Sequence, residues 1–215
     1  MIIKYYFKME LLKQRTEHTG YLKVILGSMF SGKTTELMRI YNKYKSCDIP
    51  CCLINHKSDD RYDKEKMGSH GGQLLPCYNY ENLLQCITNI DKYDIFLINE
   101  GQFFDDLYDV VNLLVNMHKK TVYVCGLDGD FKRRKFGSIL DIVPLADDIV
   151  KLKAICKKCR KREGIFTYRI SQEQEQKVIG SDNYMALCRC CYNMLVSITP
   201  PPNTREKNRM DSLMI

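Results

Sequence analysis

The sequence predicts an α/β fold, a parallel sheet core with helices on both faces and a small appended domain. Three observations predict it. Tyr21–Leu26 (YLKVIL), Cys51–Asn55 (CCLIN), Ile95–Asn99 (IFLIN) and Thr121–Cys125 (TVYVC) are short apolar runs without the strict alternation of a half-wetted strand, which suits strands buried on both faces. Segments of helical period lie between these runs, as parallel β-α-β connections require. From about residue 151 the chain turns charged and carries paired cysteines, a change that marks a separate unit.

Along the chain, residues 1–20 are a polar lead-in expected to be poorly ordered. Residues 33–45 place Leu37, Ile40, Tyr41 and Tyr44 on one helical face; 82–90 also read as helix, and 105–117 repeat the pattern through Leu107, Val110, Val111, Leu114 and Val115. The tail opens with three prolines at 200–202 and turns polar, so it reads as disordered. The expected organisation is therefore an extension (1–20), an α/β domain (21–150), a small cysteine-bearing domain (151–196) and a tail (197–215).

Composition narrows the function class. The chain has 215 residues, 45% hydrophobic and 27% charged, enough to bury a core, and no apolar run approaches the ~18 residues of a membrane span. The N-terminal stretch lacks the pattern of a secretory signal, so the expected location is cytoplasmic. A net charge of +7 peaks at Lys132–Lys135 and again across Lys157, Lys158, Arg160, Lys161 and Arg162. Nucleic acid is disfavoured as a partner because no aromatic residues interleave these runs. Eleven cysteines, an odd number, argue against a disulfide framework.

Three motifs carry chemistry. Gly27-Ser28-Met29-Phe30-Ser31-Gly32-Lys33-Thr34 fits the phosphate-binding pattern G-x-x-x-x-G-K-[ST] between a strand and a helix. Its backbone N–H groups face nucleotide phosphates, Lys33 reaches the β/γ oxygens and the Thr34 hydroxyl ligates Mg²⁺. Asn99-Glu100-Gly101-Gln102 follows the third strand, at the sheet edge where ligands bind, and a lone Glu100 beside a phosphate site suits a general base for a hydroxyl acceptor. Cys156/Cys159 and Cys188/Cys191 form two C-x-x-C pairs 28 residues apart (160–187), a donor set for closed structural Zn²⁺, with Cys190 as an alternative to Cys191.

The segments GSMFSGKTTELMR (27–39), DDRY (59–62), NEGQFFDD (99–106), GLDGDFKRRKFGSIL (126–140), VPLAD (143–147), VKLKAIC (150–156) and VIGSDNYMALCRCC (178–191) together resemble the type II thymidine kinases, the cytosolic and poxvirus-type family, over residues 21 to about 196. The resemblance implies a RecA-like P-loop core with a zinc-ribbon lasso, and transfer of the ATP γ-phosphate to the 5′-hydroxyl of thymidine, with deoxyuridine a weaker substrate. It implies Glu100, Lys33 and Arg61 as catalytic residues. ATP would contact Gly27, Ser28, Met29, Phe30, Ser31, Gly32, Lys33, Thr34, Asp59, Asp60, Arg61, Asn99, Glu100, Gly101 and Gln102. Thymine would lie between Phe103 and Phe131, with Met29, Leu127 and Phe136 closing the pocket. Gln176, Lys177, Val178, Ile179, Gly180 and Tyr184 would form the lasso over it. A homotetramer and feedback inhibition by dTTP are also implied.

Three positions depart from the family pattern: Asn99 where aspartate is usual, Ser28 where proline is common, and Asp130 where threonine is common. Asn99 lacks the charge that supports Mg²⁺ and suggests a slower enzyme; Asp130 adds charge next to Phe131. The competing readings are a nucleic-acid-binding P-loop ATPase with a basic zinc ribbon, and a degenerate, weakly active kinase.

Overall fold

The computed structural model describes residues 19–59, 66–68, 72–176, 180 and 182–198. Most of the N-terminal extension and the tail, together with Asp60, Arg61, Lys177, Val178 and Ile179, lie outside the described residues. In chain order the elements are β1 (Tyr21–Gly27), α1 (Lys33–Lys45), β2 (Cys51–His56), β3 (Lys66–Gly68), β4 (Leu74–Pro76), β5 (Tyr78–Tyr80) and a 3₁₀ segment Leu83–Asn89. Then come β6 (Ile95–Ile98), a 3₁₀ turn Gly101–Phe103, α2 (Leu107–Asn112) widening into a π-helical stretch Leu113–Met117, and β7 (Thr121–Gly126). A 3₁₀ turn at Val143–Leu145, β8 (Asp148–Leu152), β9 (Ala154–Ile155), β10 (Glu163–Gly164), β11 (Phe166–Arg169), β12 (Tyr184–Leu187) and α3 (Arg189–Ile198) complete the chain.

Six strands form one sheet in the order β5-β2-β6-β7-β1-β8, and every neighbouring pair is parallel. The apolar runs are continuous because alternate residues serve opposite faces. Val24, Ile54, Phe96, Ile98, Val122 and Val124 pack under α2 with Leu107, Val110, Val111 and Leu114. Ile25, Leu53, Leu97, Tyr123 and Cys125 face the other way and pack against Leu37, Met38 and Ile40 of α1. The four expected strands and the first helix are present. The 82–90 segment is 3₁₀ rather than α-helical: the Asp106 carboxylate accepts from the backbone N–H of Leu83 (3.0 Å) and Leu84 (2.9 Å), fixing the start of a seven-residue segment that holds β-branched Ile87 and Thr88.

Sequence reading missed β5 and β8, the two edges of the sheet. Edge strands are often short or charged: β5 spans only three residues, and Asp148 and Lys151 interrupt β8 with charge. β8 also runs across the expected domain boundary at residue 150, so the sheet extends to Leu152. The small domain follows as two antiparallel hairpins, β9–β10 and β11–β12, closed by α3 around Cys156, Leu187, Cys188, Cys191 and Tyr192. It docks on the phosphate loop directly: Ser28 Oγ donates to the Gly164 carbonyl (2.8 Å), and Met29 N–H donates to Thr167 Oγ1 (3.0 Å).

Order in the sheet sets the position of the site. β7 lies between β1 and β6, so the loops leaving these three strands converge at one carboxyl edge. Gly137 returns the chain onto this edge with φ +55°, and a Cβ there would stand 2.0 Å from the Gln102 carbonyl oxygen. Gly137→Ala is expected to cost at least about 2 kcal/mol, combining left-handed strain with a backbone clash, and to lower Tm by roughly 4–8 °C. Thermal unfolding measures it, and an unchanged Tm would refute the packing described.

Candidate active site

The loop between β1 and α1 wraps back on itself. Gly32 takes a left-handed conformation (φ 86°) immediately before the helix, and Phe30 does so at φ 64°. The loop therefore presents its N–H groups and the positive end of the thirteen-residue α1 to one spot, an anion cradle. The Lys33 side chain is buried in this loop and donates to the Ser28 carbonyl at 2.8 Å.

Across the cradle, the end of β6 carries Asn99 and Glu100. Asn99 is 1% exposed. Its Oδ1 accepts from Thr34 Oγ1 (3.3 Å) and Cys125 Sγ (3.1 Å), and its Nδ2 donates to Asn55 Oδ1 (2.8 Å). Asn55 in turn donates to Asp59 Oδ2 (3.3 Å), so a polar chain links Thr34 to Asp59 beneath the cleft. Glu100 sits at φ 52°, ψ 43°, a costly conformation for a residue with a Cβ. Gln102 holds it there: Nε2 donates to Glu100 Oε2 (2.6 Å), while Oε1 accepts from the Leu127 N–H (2.9 Å). Both Glu100 and Lys33 act on the buried Cys125 thiol. Burial and the Glu100 charge push that thiol up, the Lys33 charge pulls it down, and it stands at about 12.

One cleft, with a void of about 970 Å³ including its open mouth, joins these groups. Met29, Phe30, Gly32, Lys33, Thr34, Asp59 and Glu100 are among the residues that line it. Phe103, Leu127, Phe131, Phe136, Gln176, Gly180 and Tyr184 line it too. The Phe103 and Phe136 rings meet edge-on at 5.5 Å, an aromatic wall of the kind that packs against a flat ligand. Of the expected site residues, Gly27, Ser28, Ser31, Asn99, Gly101 and Gln102 are not on this lining; Asn99 and Gln102 support those that are.

Sequence reading missed Thr35, Ser58, Gly129 and Thr167 on the lining, and Arg169 behind it. Period two in β11 supplied a signal: Thr167 and Arg169 are the buried face of that strand, an unusual place for a hydroxyl and a guanidinium. Asp130, noted only as a departure, also lines the cleft while being 6% exposed.

Away from the cleft, the Sγ atoms of Cys156, Cys159, Cys188 and Cys191 lie within 4.8 Å of one another. Four 2.3 Å bonds to a tetrahedral Zn²⁺ require sulfur–sulfur edges of about 3.8 Å, and Cys159–Cys188 is 3.9 Å, so this donor set fits the metal. Burial alone raises the Cys156 thiol, but N–H donors from Cys159, Cys188 and Lys158 outweigh it and bring it down to about 6. Burial and the neighbouring sulfurs push Cys191 up to about 12. Cys190 is exposed and outside this cluster. Purified protein is expected to hold one zinc per chain by metal analysis, lost in Cys159→Ser and retained in Cys190→Ser. The reverse pattern would overturn this ligand assignment.

Comparison with known proteins agrees with the geometry. A thymidine kinase family model matches residues 20–192. The cytosolic thymidine kinase of Cricetulus griseus is 40% identical over 196 residues, spanning 87% of this chain and 80% of that protein. A thymidine kinase of Oryza sativa is 39% identical over 188 residues, covering 84% and 69%. The thymidine kinase of Sheeppox virus is 36% identical over 174 residues, covering 80% and 97%. With four-fifths of its length matched by one family model, the chain belongs to the thymidine kinase family.

Proposed function

We propose that this chain transfers the γ-phosphate of ATP to the 5′-hydroxyl of thymidine, giving dTMP, with Glu100 as general base. The observation that carries this reading is the single cleft shared by Lys33, at the phosphate loop, and Glu100, beside an aromatic-lined compartment. Glu100 takes the proton of the sugar alcohol as its oxygen attacks the terminal phosphorus, and the bond from that phosphorus to the β,γ-bridging oxygen breaks to release ADP. Lys33 and the N–H groups of the loop hold the charge that develops on the phosphoryl oxygens. Mg²⁺, held by Thr34 with Asn99 behind it, supplies further charge neutralisation when bound. Thymine fits the compartment of Phe103, Phe131 and Phe136, with Met29 and Leu127 at its edge. Arg61 and the segment through Lys177–Ile179 complete the proposed set. Structural Zn²⁺ at the four cysteines organises the small domain and, having no open coordination position, takes no part in the chemistry.

Further parts of the reading are a cytoplasmic homotetramer, inhibition by dTTP, and deoxyuridine as a weaker substrate, since one methyl group is worth only modest discrimination. Nucleic acid and membranes are not proposed as partners; no helix among the described residues is long and apolar enough to cross a membrane.

Glu100→Gln tests the base. Transfer of label from ATP to thymidine is expected to fall roughly a hundred- to ten-thousand-fold, with nucleotide binding retained. Turnover within tenfold of native would remove Glu100 from that role.

Asn99 sets the second test. Its amide oxygen accepts from Thr34, its amide nitrogen donates to Asn55, and aspartate at this position would restore a negative charge beside Thr34. Asn99→Asp is expected to lower the Mg²⁺ concentration for half-maximal rate several-fold and to raise the rate at limiting Mg²⁺. Superimposable Mg²⁺ titrations of the two proteins would show that the missing charge has no consequence.

A further inference from the structure

Two independent anchors meet at Gln176, on the wall of the cleft. The first holds its backbone. Arg169, 4% exposed, donates through Nη1 to the carbonyls of Glu173 (3.0 Å) and Glu175, and through Nη2 to that of Gln176 (3.0 Å). The same guanidinium donates to the Tyr184 hydroxyl (2.7 Å from Nη2) and lies 3.8 Å from the centre of the Phe131 ring. The planar five-donor fork of arginine suits this arrangement of carbonyls, hydroxyl and ring; a lysine ammonium offers no plane to stack.

The second anchor holds the side chain. Asp130 Oδ1 accepts from the backbone N–H of Lys132 and Arg134, both at 2.9 Å, which closes the 130–134 turn. Its other oxygen, Oδ2, accepts from Gln176 Nε2 at 2.9 Å, and the Lys135 carbonyl accepts from the same nitrogen at 3.3 Å. Both neighbours of that nitrogen are acceptors, so the orientation of the carboxamide follows from chemistry. Asp130, Phe131, Gln176 and Tyr184 all line the nucleoside part of the cleft.

We propose that Asp130 and Gln176 form a latch that, with Arg169, positions residues 173–176 against the nucleoside compartment, so that nucleoside affinity in this chain depends on one side-chain hydrogen bond. Asp130 and Gln176 are positioning residues in this role. Fixing the wall before the nucleoside arrives removes an ordering cost from binding, so loss of the latch raises KM for the nucleoside while the phosphate side is untouched. The proposal rests on the thymidine kinase reading for its kinetic part alone.

The test reverses the polarity of the hydrogen bond. Gln176→Glu sets two carboxylates against each other and is expected to raise the thymidine KM about tenfold, with kcat within about threefold and the ATP KM unchanged. Asp130→Asn combined with Gln176→Glu lets the asparagine amide donate to the new carboxylate and is expected to bring the thymidine KM back to within about threefold of native. Amide hydrogen exchange of residues 172–176 without nucleoside supplies a readout independent of activity. Exchange is expected to be faster in Gln176→Glu and slowed again in the double variant, with zinc content constant. Native exchange and native KM in Gln176→Glu would overturn the proposal, as would a double variant no better than the single one. Altered exchange with an unaltered KM would equally overturn the positioning role. Should the double variant fail to fold, Gln176→Ala decides, and an unchanged thymidine KM there overturns the latch. If native protein transfers no phosphate to thymidine, the kinase reading fails, while exchange in the same variants still accepts or rejects the contact.

Discussion

The carboxyl edge of the sheet depends on the buried carboxamide of Gln102. Its nitrogen restrains Glu100 in a left-handed conformation that a residue with a side chain adopts at a cost of about 1–3 kcal/mol, and its oxygen fixes the Leu127 N–H at the end of β7. One side chain thereby ties the strand carrying the acidic residue to the strand whose loop carries the aromatic compartment. The packing leaves no latitude: a Cβ at Gly126 would stand 2.2 Å from Gln102 Oε1, and one at Gly137 would meet its backbone oxygen. The strain at Glu100 persists because β6, β7 and the returning 129–138 segment over-determine it.

The same edge shows how the small domain is coupled to the phosphate loop. Ser28 and Met29 each make a hydrogen bond into the β10–β11 region, so the loop that cradles phosphate also bears on the hairpins carrying Thr167, Arg169 and the cysteine cluster. Serine at position 28 is a departure from the family pattern that gains a contact, since its hydroxyl finds the Gly164 carbonyl in a site only 2% exposed. The departure at Asn99 is likewise integrated. Its amide uses donor and acceptor together, and the polar chain from Thr34 through Asn99 and Asn55 to Asp59 takes its direction from that amide. Asp130 follows the same logic, spending one oxygen on its own turn and the other on Gln176.

Part of the basic charge is structural. Arg133 lies 4.4 Å from the centre of the Tyr192 ring, and Arg133 and Arg189 both lie within 5.4 Å of the Phe166 ring centre. One of the two charge peaks thus reaches the aromatic residues packed around the cysteine cluster. Stacking of this kind favours arginine, whose weakly hydrated plane loses little on contact with a ring.

What the sequence determined by itself was local in character. Runs such as IFLIN and TVYVC specify strands covered on both faces, the periodic apolar positions of 33–45 specify α1, and the glycine spacing of 27–34 specifies an anion cradle, because each rests on properties of neighbouring residues. The paired C-x-x-C spacing also identified the four clustered thiols, leaving only Cys190 against Cys191 open. Tertiary structure alone decided which residues became walls and which became supports. Gln102 and Asn99 hold the cleft from behind, Thr167 and Arg169 arrive from a strand more than sixty residues later in the chain, and Asp130 meets Gln176 across 46 positions. The edge strands β5 and β8 belong to the same class, since a three-residue strand or one carrying charge is a strand only by virtue of the neighbour it pairs with. Such long-range hydrogen bonds leave no periodicity in the chain, because their partners are selected by the order of strands in the sheet.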